Sequence, residues 1–263
     1  MKKQSGWMLS EYDVYFLNGI IRKFRPKNCL EIGVSRGGSS VVILNAIKDI
    51  KGSLLISLDL NERLFINKTQ KTGHRVKEYF PELAKNWKLF VGDQPHKFLD
   101  KLNLKFDFLF LDTSHFTPGE IINIIEALPF LNNYSIVVLH DIFWHFWSYK
   151  GFKGYKFTPT QIYLLSVLYG EKIYINENMD GIKNIGAAIL YPNQENHYIN
   201  YFLLLLSFWE EIPTEKQIED LRKFIKKYYK KEKYLNIFNL AVRQNKIYNK
   251  NFNKFLNKSL NNK

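Results

Sequence analysis

The residues best suited to chemistry lie at the ends of apolar runs. In FDFLFLDTSHFTPGEIINIIEALPFLNNYSIVVLHDI, residues 106–142, one run ends on Asp112, with His115 three positions later, and the next ends on His140-Asp141. Adjacent parallel strands place their carboxyl ends side by side. Two carboxylates and an imidazole gathered there could hold a divalent cation. A histidine on the same rim could instead take a proton from a hydroxyl acceptor. His115 is the first candidate base and His145 the second, with Asp112 beside them. A second stretch, LEIGVSRGGSS at 30–40, turns from a strand at Gly33 into a helix near Ser39. Glycines there permit positive φ and close backbone approach to a ligand. The spacing Gly33-x-x-x-Gly37, with Ser35 between, does not fit the G-x-G-x-x-G of nicotinamide dinucleotide sites. Asp59 ends the next run, 26 residues after Gly33, where a carboxylate can accept hydrogen bonds from ribose hydroxyls. Asp93, after the run that ends at Val91, reads either as a ligand contact or as the cap of the next helix.

These residues need a scaffold that brings strand ends together. Strand-like runs at 29–32, 54–58, 88–91, 106–111, 135–139, 172–175 and 186–190 alternate with helical stretches such as 39–50, 61–71 and 117–130. Several of the runs are apolar throughout, as expected for strands covered on both faces. The alternation predicts a doubly wound α/β fold with a mostly parallel, seven-stranded, Rossmann-like sheet. Before it, residues 10–25 form an amphipathic helix with Ser10 as N-cap and Tyr12, Tyr15, Phe16, Gly19 and Ile20 on one side. The expected organisation is an N-terminal helix at 1–26, a cofactor domain at 27–192 and a helical basic extension at 193–263. Within the cofactor domain, FWHFWSYKGFKGYKFTPT at 143–160 is crowded with aromatics and glycine and reads as a lid or insertion. The apolar stretch 196–210 reads as a core helix or a dimer face.

Glu31-x-Gly33-x-Ser35-x-Gly37 resembles motif I of class I S-adenosylmethionine-dependent methyltransferases. The resemblance implies that Glu31, Gly33, Ser35, Gly37, Ser39, Asp59 and Asp93 bind the cofactor. The glycine turn would cradle its amino acid half, Asp59 its ribose, and Asp93 would sit beside its adenine. The D-x-x-H at 112–115, then a helix, then a strand ending in His140-Asp141-Ile142, resembles the cephalosporin-hydroxylase-like and macrocin-type sugar O-methyltransferases. Related catechol-type enzymes bind magnesium with an aspartate after strand four and an Asp-Asn pair after strand five. By that resemblance Asp112, His140 and Asp141 would hold Mg2+ or Mn2+, and the acceptor would be a small carbohydrate. The resemblance covers roughly 27–190 and departs from the subgroup at the aromatic insertion and in the tail.

Composition narrows the alternatives. The single cysteine, Cys29, excludes an internal disulfide and a thiolate metal cluster. No signal peptide is visible, and the longest late apolar stretch is too short to span a bilayer, so a cytoplasmic protein is expected. The net charge is +13, but residues 214–263, with 14 basic and 4 acidic residues, carry +10 of it and leave +3 for the rest. Lysines outnumber arginines 31 to 7, the pattern of an AT-rich coding sequence. A nucleic-acid methyltransferase using this tail is one rival reading, and a nicotinamide oxidoreductase of the same fold is another. Against the first, the residues after the fourth run read Asp112-Thr113-Ser114-His115 rather than an Asn/Asp-Pro-Pro-Tyr-like segment.

Overall fold

The computed structural model describes residues 9–64, 67–143, 160–174 and 184–261, and for 252–261 the backbone alone. The apolar runs become one seven-stranded sheet. Its strands are β1 (Asn28–Ile32), β2 (Leu54–Asp59), β3 (Trp87–Val91), β4 (Phe106–Leu111), β5 (Leu131–His140), β6 (Gly170–Ile173) and β7 (Ile185–Leu190). Their spatial order is β3-β2-β1-β4-β5-β7-β6. Neighbours from β3 to β5 are parallel, while β7 runs antiparallel to β5 and pairs with β6 as an antiparallel hairpin. Strand order reverses between β1 and β4, and the crevice beyond the carboxyl ends at such a switch point is where open α/β sheets bind ligands.

The period of two along each strand sends alternate side chains into two cores. Leu30, Ile32, Leu109, Leu111, Val137 and Leu139 face one core. Cys29, Phe108, Phe110, Ile136 and Val138 face the other. The second core is closed by α1 (Glu11–Phe24) and α2 (Gly38–Ile47). Ser10 caps α1 in a capping box with Asp13. The inward face of α1 is Asp13, Leu17, Ile20 and Ile21, whereas Tyr15 is exposed. Of the expected face, Ile20 is buried and Phe16 packs half-buried against this core, but Tyr15 and Gly19 are exposed, and the buried carboxylate of Asp13 takes a position that apolar patterning assigns to solvent.

The helix expected at 61–71 is not formed by its described residues. Arg63 and Lys71 make an isolated antiparallel bridge, the Leu64 N–H donates to Gln70 O, and Thr72 Oγ1 donates to Asn61 O. Polar side chains that bond nearby backbone compete with helix, and α3 begins only at His74 and ends at Tyr79. The segment between Ile142 and α6 (Thr160–Val167), where the lid was expected, lies almost wholly outside the described residues, as does His145.

The first core is covered by α4 (Pro95–Leu102), α5 (Gly119–Ala127), α6, α7 (Tyr198–Leu204), α8 (Glu215–Tyr228) and α9 (Glu232–Asn261). Among the described residues, no helix is long and apolar enough to cross a membrane. Tyr201, Phe202, Leu205 and Trp209 are buried in the chain's own core, while Leu203, Leu206 and Phe208 are exposed. The basic tail is equally committed to packing. Ile218, Leu221, Phe224 and Ile225 of α8 and Tyr234, Phe238, Ala241 and Val242 of α9 are buried in the core that holds Leu109 and Ile125. The Tyr229 hydroxyl donates to Ile125 O at 2.6 Å, and Lys97 pairs with Asp220 at 2.8 Å. Phe224 also lies 5.3 Å from the His96 ring. Truncating it leaves a cavity between α4, α5 and α8. Phe224→Ala should therefore cost about 3–5 kcal/mol in denaturant unfolding, and a loss below ~1 kcal/mol would show that α8 merely rests on the domain.

Candidate functional site

The turn after β1 is shaped by what it must pass. Gly33 has φ +93°, and a Cβ there would stand 1.8 Å from the Asp112 carbonyl oxygen. Gly33 N–H donates to Leu58 O, and Asp112 N–H donates to Ile32 O, so β1, β2 and β4 are laced together at their carboxyl ends. Gly37, at φ +90°, is the N-cap of α2, and a Cβ on it would meet Gly73 and Val76 at 3.2 Å. Both glycines thus serve packing of the protein against itself. Gly37 in particular turns its open side to the loop before α3, so the expectation that it is a glycine for a ligand's sake does not follow from this geometry.

Asp59 ends β2 facing that turn. Its Oδ2 accepts from the N–H groups of Val34 and Ser35 at 2.9 and 3.0 Å, and its Oδ1 from Asn61 N–H at 2.8 Å. A carboxylate offers about four acceptor sites, so one remains for a hydroxyl. Ser35 takes positive φ at the exposed lip of the turn. Asp93 lies one residue before Gln94, the N-cap of α4. It accepts from Gln94 N–H and pairs with Lys97 at 3.2 Å.

Glu31 and Ser39 are placed differently from the rest of motif I. Glu31 is fully buried under the turn, where Oε1 accepts from Ser39 Oγ at 2.5 Å and Oε2 from Ser40 and Ser57 at 2.6 and 2.5 Å. Trp87 Nε1 donates in turn to Ser57 Oγ. This network braces β1, α2, β2 and β3 from below, and neither side chain is open to the crevice. Burial pushes the Glu31 carboxyl up to about 7, against the three hydroxyl bonds that favour its charged form.

The ends of β4 and β5 form the other wall. Asp112, His115 and Asp141 bring one potential ligand atom each within 4.8 Å of one another. Asp141 has φ +56°, an uncommon conformation for a non-glycine residue and one that recurs at functional sites. Its Oδ1 accepts from Asn184 Nδ2, just before β7, and its Oδ2 lies 3.0 Å from His115 Nε2. The other nitrogen of His115 is 2.8 Å from Gln161 Nε2 and 3.4 Å from Glu120 Oε1. Burial alone would lower the His115 imidazole, but Asp141 and Glu120 outweigh it and raise it to about 10. With Nε2 turned to Asp141 and Nδ1 to Gln161 and Glu120, both nitrogens of His115 are engaged by the protein in this arrangement.

His140 is 3% exposed. Its Nε2 is 3.3 Å from Asp13 Oδ2 on α1, and its Nδ1 stands 3.2 Å from Asp112 Oδ2 and 3.4 Å from Asp141 Oδ2. Neither of the Nδ1 contacts has hydrogen-bond geometry, so this buried nitrogen has no hydrogen-bond partner among the described residues. Burial opposes charge on the ring, but the carboxylate of Asp112, then Asp13 and Asp141, raise its pKa well above the usual histidine value. The mutually close donors are thus Asp112, Asp141 and His115 rather than the expected His140, which stands beside the two carboxylates with Nδ1 turned to them. That set fits a divalent transition-metal ion.

Four contributors to this wall escaped the sequence reading: Asp13, Glu120, Gln161 and Asn184. Glu120, buried within an apolar helix, carried a signal, since unpaired acids are rarely buried. Gln161 and Asn184 carried none.

Residues 30–142 match a family model described as a methyltransferase domain. The matched segment covers 113 of the chain's 263 residues. The match begins in β1 and ends beside Asp141, so it spans the glycine turn, Asp59, Asp112, His115 and His140, and leaves Asp13, Gln161 and Asn184 outside. No curated protein matches the chain by sequence. Among solved structures, the chain resembles the O-methyltransferase TomG from Streptomyces achromogenes, involved in tomaymycin synthesis and solved with SAM. The identity is 16%, the alignment covers 71% of this chain and 83% of that one, and the TM-score is 0.52. An O-methyltransferase from Bacillus cereus in complex with SAH is 14% identical over 70% of this chain and 83% of its own, with TM-score 0.52. These likenesses establish the fold alone.

The Glu31 network gives a pH prediction. Its folded pKa, near 7, lies above the ordinary value of 4.5. The stability it contributes is therefore present below about pH 4.5 and is lost as pH rises through 7, on the order of 3 kcal/mol in all. Relative to wild type, Glu31→Gln should gain stability steadily between those pH values in thermal melts. Parallel pH profiles for the two proteins would contradict a raised Glu31.

Proposed function

We propose that this chain is an S-adenosylmethionine-dependent O-methyltransferase acting on a hydroxyl of a small acceptor, a sugar or sugar nucleotide. The observation that carries the reading is the crevice at the sheet's switch point. One wall is the Gly33–Gly37 turn with Asp59, and the other is the carboxylate and histidine cluster at the ends of β4 and β5. The cofactor reading is supported by the methyltransferase domain and by the SAM and SAH complexes of the two similar structures. The sugar reading is supported by the D-x-x-H…H-D-I pattern. The buried free thiol of Cys29 accords with a cytoplasmic setting.

The methyl of a sulfonium is already activated, so positioning supplies much of the catalysis. The exposed lip of the turn at Ser35 would hold the amino acid portion of the cofactor, and Asp59 would accept from its ribose. Asp93 would approach the adenine. Glu31 and Ser39 act from beneath by fixing the turn. As the acceptor oxygen bonds to the methyl carbon, the carbon–sulfur bond breaks, S-adenosylhomocysteine leaves, and the hydroxyl proton must depart. Asp112, Asp141, His115 and His140 would hold a divalent ion. When bound, such an ion makes a hydroxyl more acidic and so supplies what a sugar alcohol lacks. The Asp112 carboxylate then stands beside the reacting centre to receive the proton. His145, the other candidate base, lies outside the described residues.

Calorimetric titration with S-adenosylmethionine tests the reading. Asp59→Ala should weaken binding by about 10–100-fold, the worth of one charge-assisted hydrogen bond. Asp141→Asn should leave cofactor affinity almost unchanged but slow methyl transfer, an effect that chelation reproduces and added Mn2+ reverses. Binding of NAD in place of S-adenosylmethionine would overturn the proposal. Full turnover in excess chelator would remove the metal from it.

A further inference from the structure

The N-terminal helix α1 lies outside the matched domain, yet it reaches the centre of the site through one residue. Asp13 is buried at 3% exposure, although it sits in the first turn of α1, where a capping acid is ordinarily solvated. Its Oδ2 accepts from Ser10 N–H at 2.9 Å and Ser10 Oγ at 2.6 Å, which fixes the carboxylate's orientation. The same oxygen lies 3.3 Å from His140 Nε2. His140 is therefore held by one nitrogen, and its other is presented to Asp112 and Asp141.

The spacing on that presented side is informative. Ligand atoms bound to one ion at about 2.1 Å stand roughly 3.0–3.4 Å apart at octahedral to tetrahedral angles. The observed separations are 3.0 Å for His115 Nε2 to Asp141 Oδ2, 3.2 Å for His140 Nδ1 to Asp112 Oδ2, and 3.4 Å for His140 Nδ1 to Asp141 Oδ2. The absence of hydrogen-bond geometry at His140 Nδ1 accords with a nitrogen placed for coordination. Each histidine also has a carboxylate on its remote nitrogen, Asp13 for His140 and Glu120 for His115. Metal-ligating histidines characteristically have such a partner.

We propose that Asp13 completes this centre from outside the methyltransferase domain by fixing His140 as a nitrogen ligand, and that the centre consequently selects a transition-metal ion such as Mn2+ over Mg2+. Magnesium favours all-oxygen surroundings and keeps much of its water, whereas two imidazoles favour borderline ions. Asp13 acts through the His140 ring and is a positioning residue. The inference rests on the metal-assisted reading of the site given above.

The test is calorimetric titration of the full-length protein with Mn2+ alone and with Mg2+ alone, for wild type, Asp13→Asn, Asp13→Glu and Ser10→Ala. Wild type should bind Mn2+ more tightly than Mg2+ by on the order of 100-fold. Asp13→Asn should weaken Mn2+ by about 10–100-fold and narrow the preference, while Asp13→Glu restores much of both. Ser10→Ala removes one of the two bonds that orient Asp13 but keeps the carboxylate on His140, so its Mn2+ affinity should fall by much less than that of Asp13→Asn. Melting temperatures and S-adenosylmethionine affinities of all four report folding and cofactor binding separately. Equal losses in Asp13→Asn and Ser10→Ala would reduce Asp13 to a helix cap and overturn the proposal. Unchanged Mn2+ affinity in Asp13→Asn, or equal wild-type affinity for the two ions, would overturn it while leaving a metal site intact. No binding of either ion by wild type would overturn both this inference and the metal reading, with the methyltransferase reading still decided by cofactor titration.

Discussion

Burying an imidazole among three carboxylates is a costly arrangement that persists only when each partner is held from elsewhere in the fold. His140 imposes that constraint here. Asp13 reaches it from α1, Asp112 from the end of β4, and Asp141 from the residue after β5. Displacing any one leaves charge uncompensated in a water-poor place. The N-terminal helix, the switch-point strands and, through Asn184, the start of β7 are thereby tied to a single ring. The positive φ at Asp141 belongs to the same constraint, because it turns Oδ2 toward both histidines while Oδ1 stays on Asn184. Packing supplies the rigidity. Leu17, Ile20 and Ile21 seat α1 beside α2, and Phe110 lies 6.2 Å from the His140 ring.

The opposite wall is built by a different means. At Gly33 a backbone carbonyl occupies the space of a side chain, so the turn cannot move away from Asp112 without breaking the strand pairing. Asp59 gathers the turn's N–H groups, and buried Glu31 pins it from below through three serines. The two walls thus share Asp112: its carbonyl shapes the glycine turn and its carboxylate faces His140. The proposed cofactor and acceptor sites would be adjacent because one residue belongs to both walls.

Much of this was legible in the sequence because it follows from strand ends. Apolar runs that stop at Asp59, Asp112 and His140-Asp141 locate the crevice, and the glycine turn locates its floor. The seven runs and their order of helices sufficed for the fold class, and Ile218, Leu221 and Ile225 revealed that the basic tail has a core face. What was illegible depends on contacts distant in sequence. Asp13 reads as a capping acid, and only the proximity of residue 140 gives it another meaning; the same misreading left it off the inward face of α1. Glu31 and Ser39 read as ligand contacts because motif position does not reveal which side of a turn a side chain occupies. The 61–71 segment has helical composition, but its side chains and backbone bond each other locally in a compact loop. Gln161 and Asn184 are ordinary polar residues until the chain returns them to His115 and Asp141.

If the ends of β4 and β5, with α1 behind them, form the proposed metal-assisted methyl-transfer site, crystals grown with S-adenosylhomocysteine and Mn2+ and recorded at the manganese edge should show one anomalous peak within bonding distance of Asp112, Asp141, His115 and His140. The nucleoside ribose should lie on Asp59 and the cofactor sulfur should face the metal. A cofactor bound elsewhere, or manganese absent from these four residues while the nucleoside is in place, would contradict that proposal.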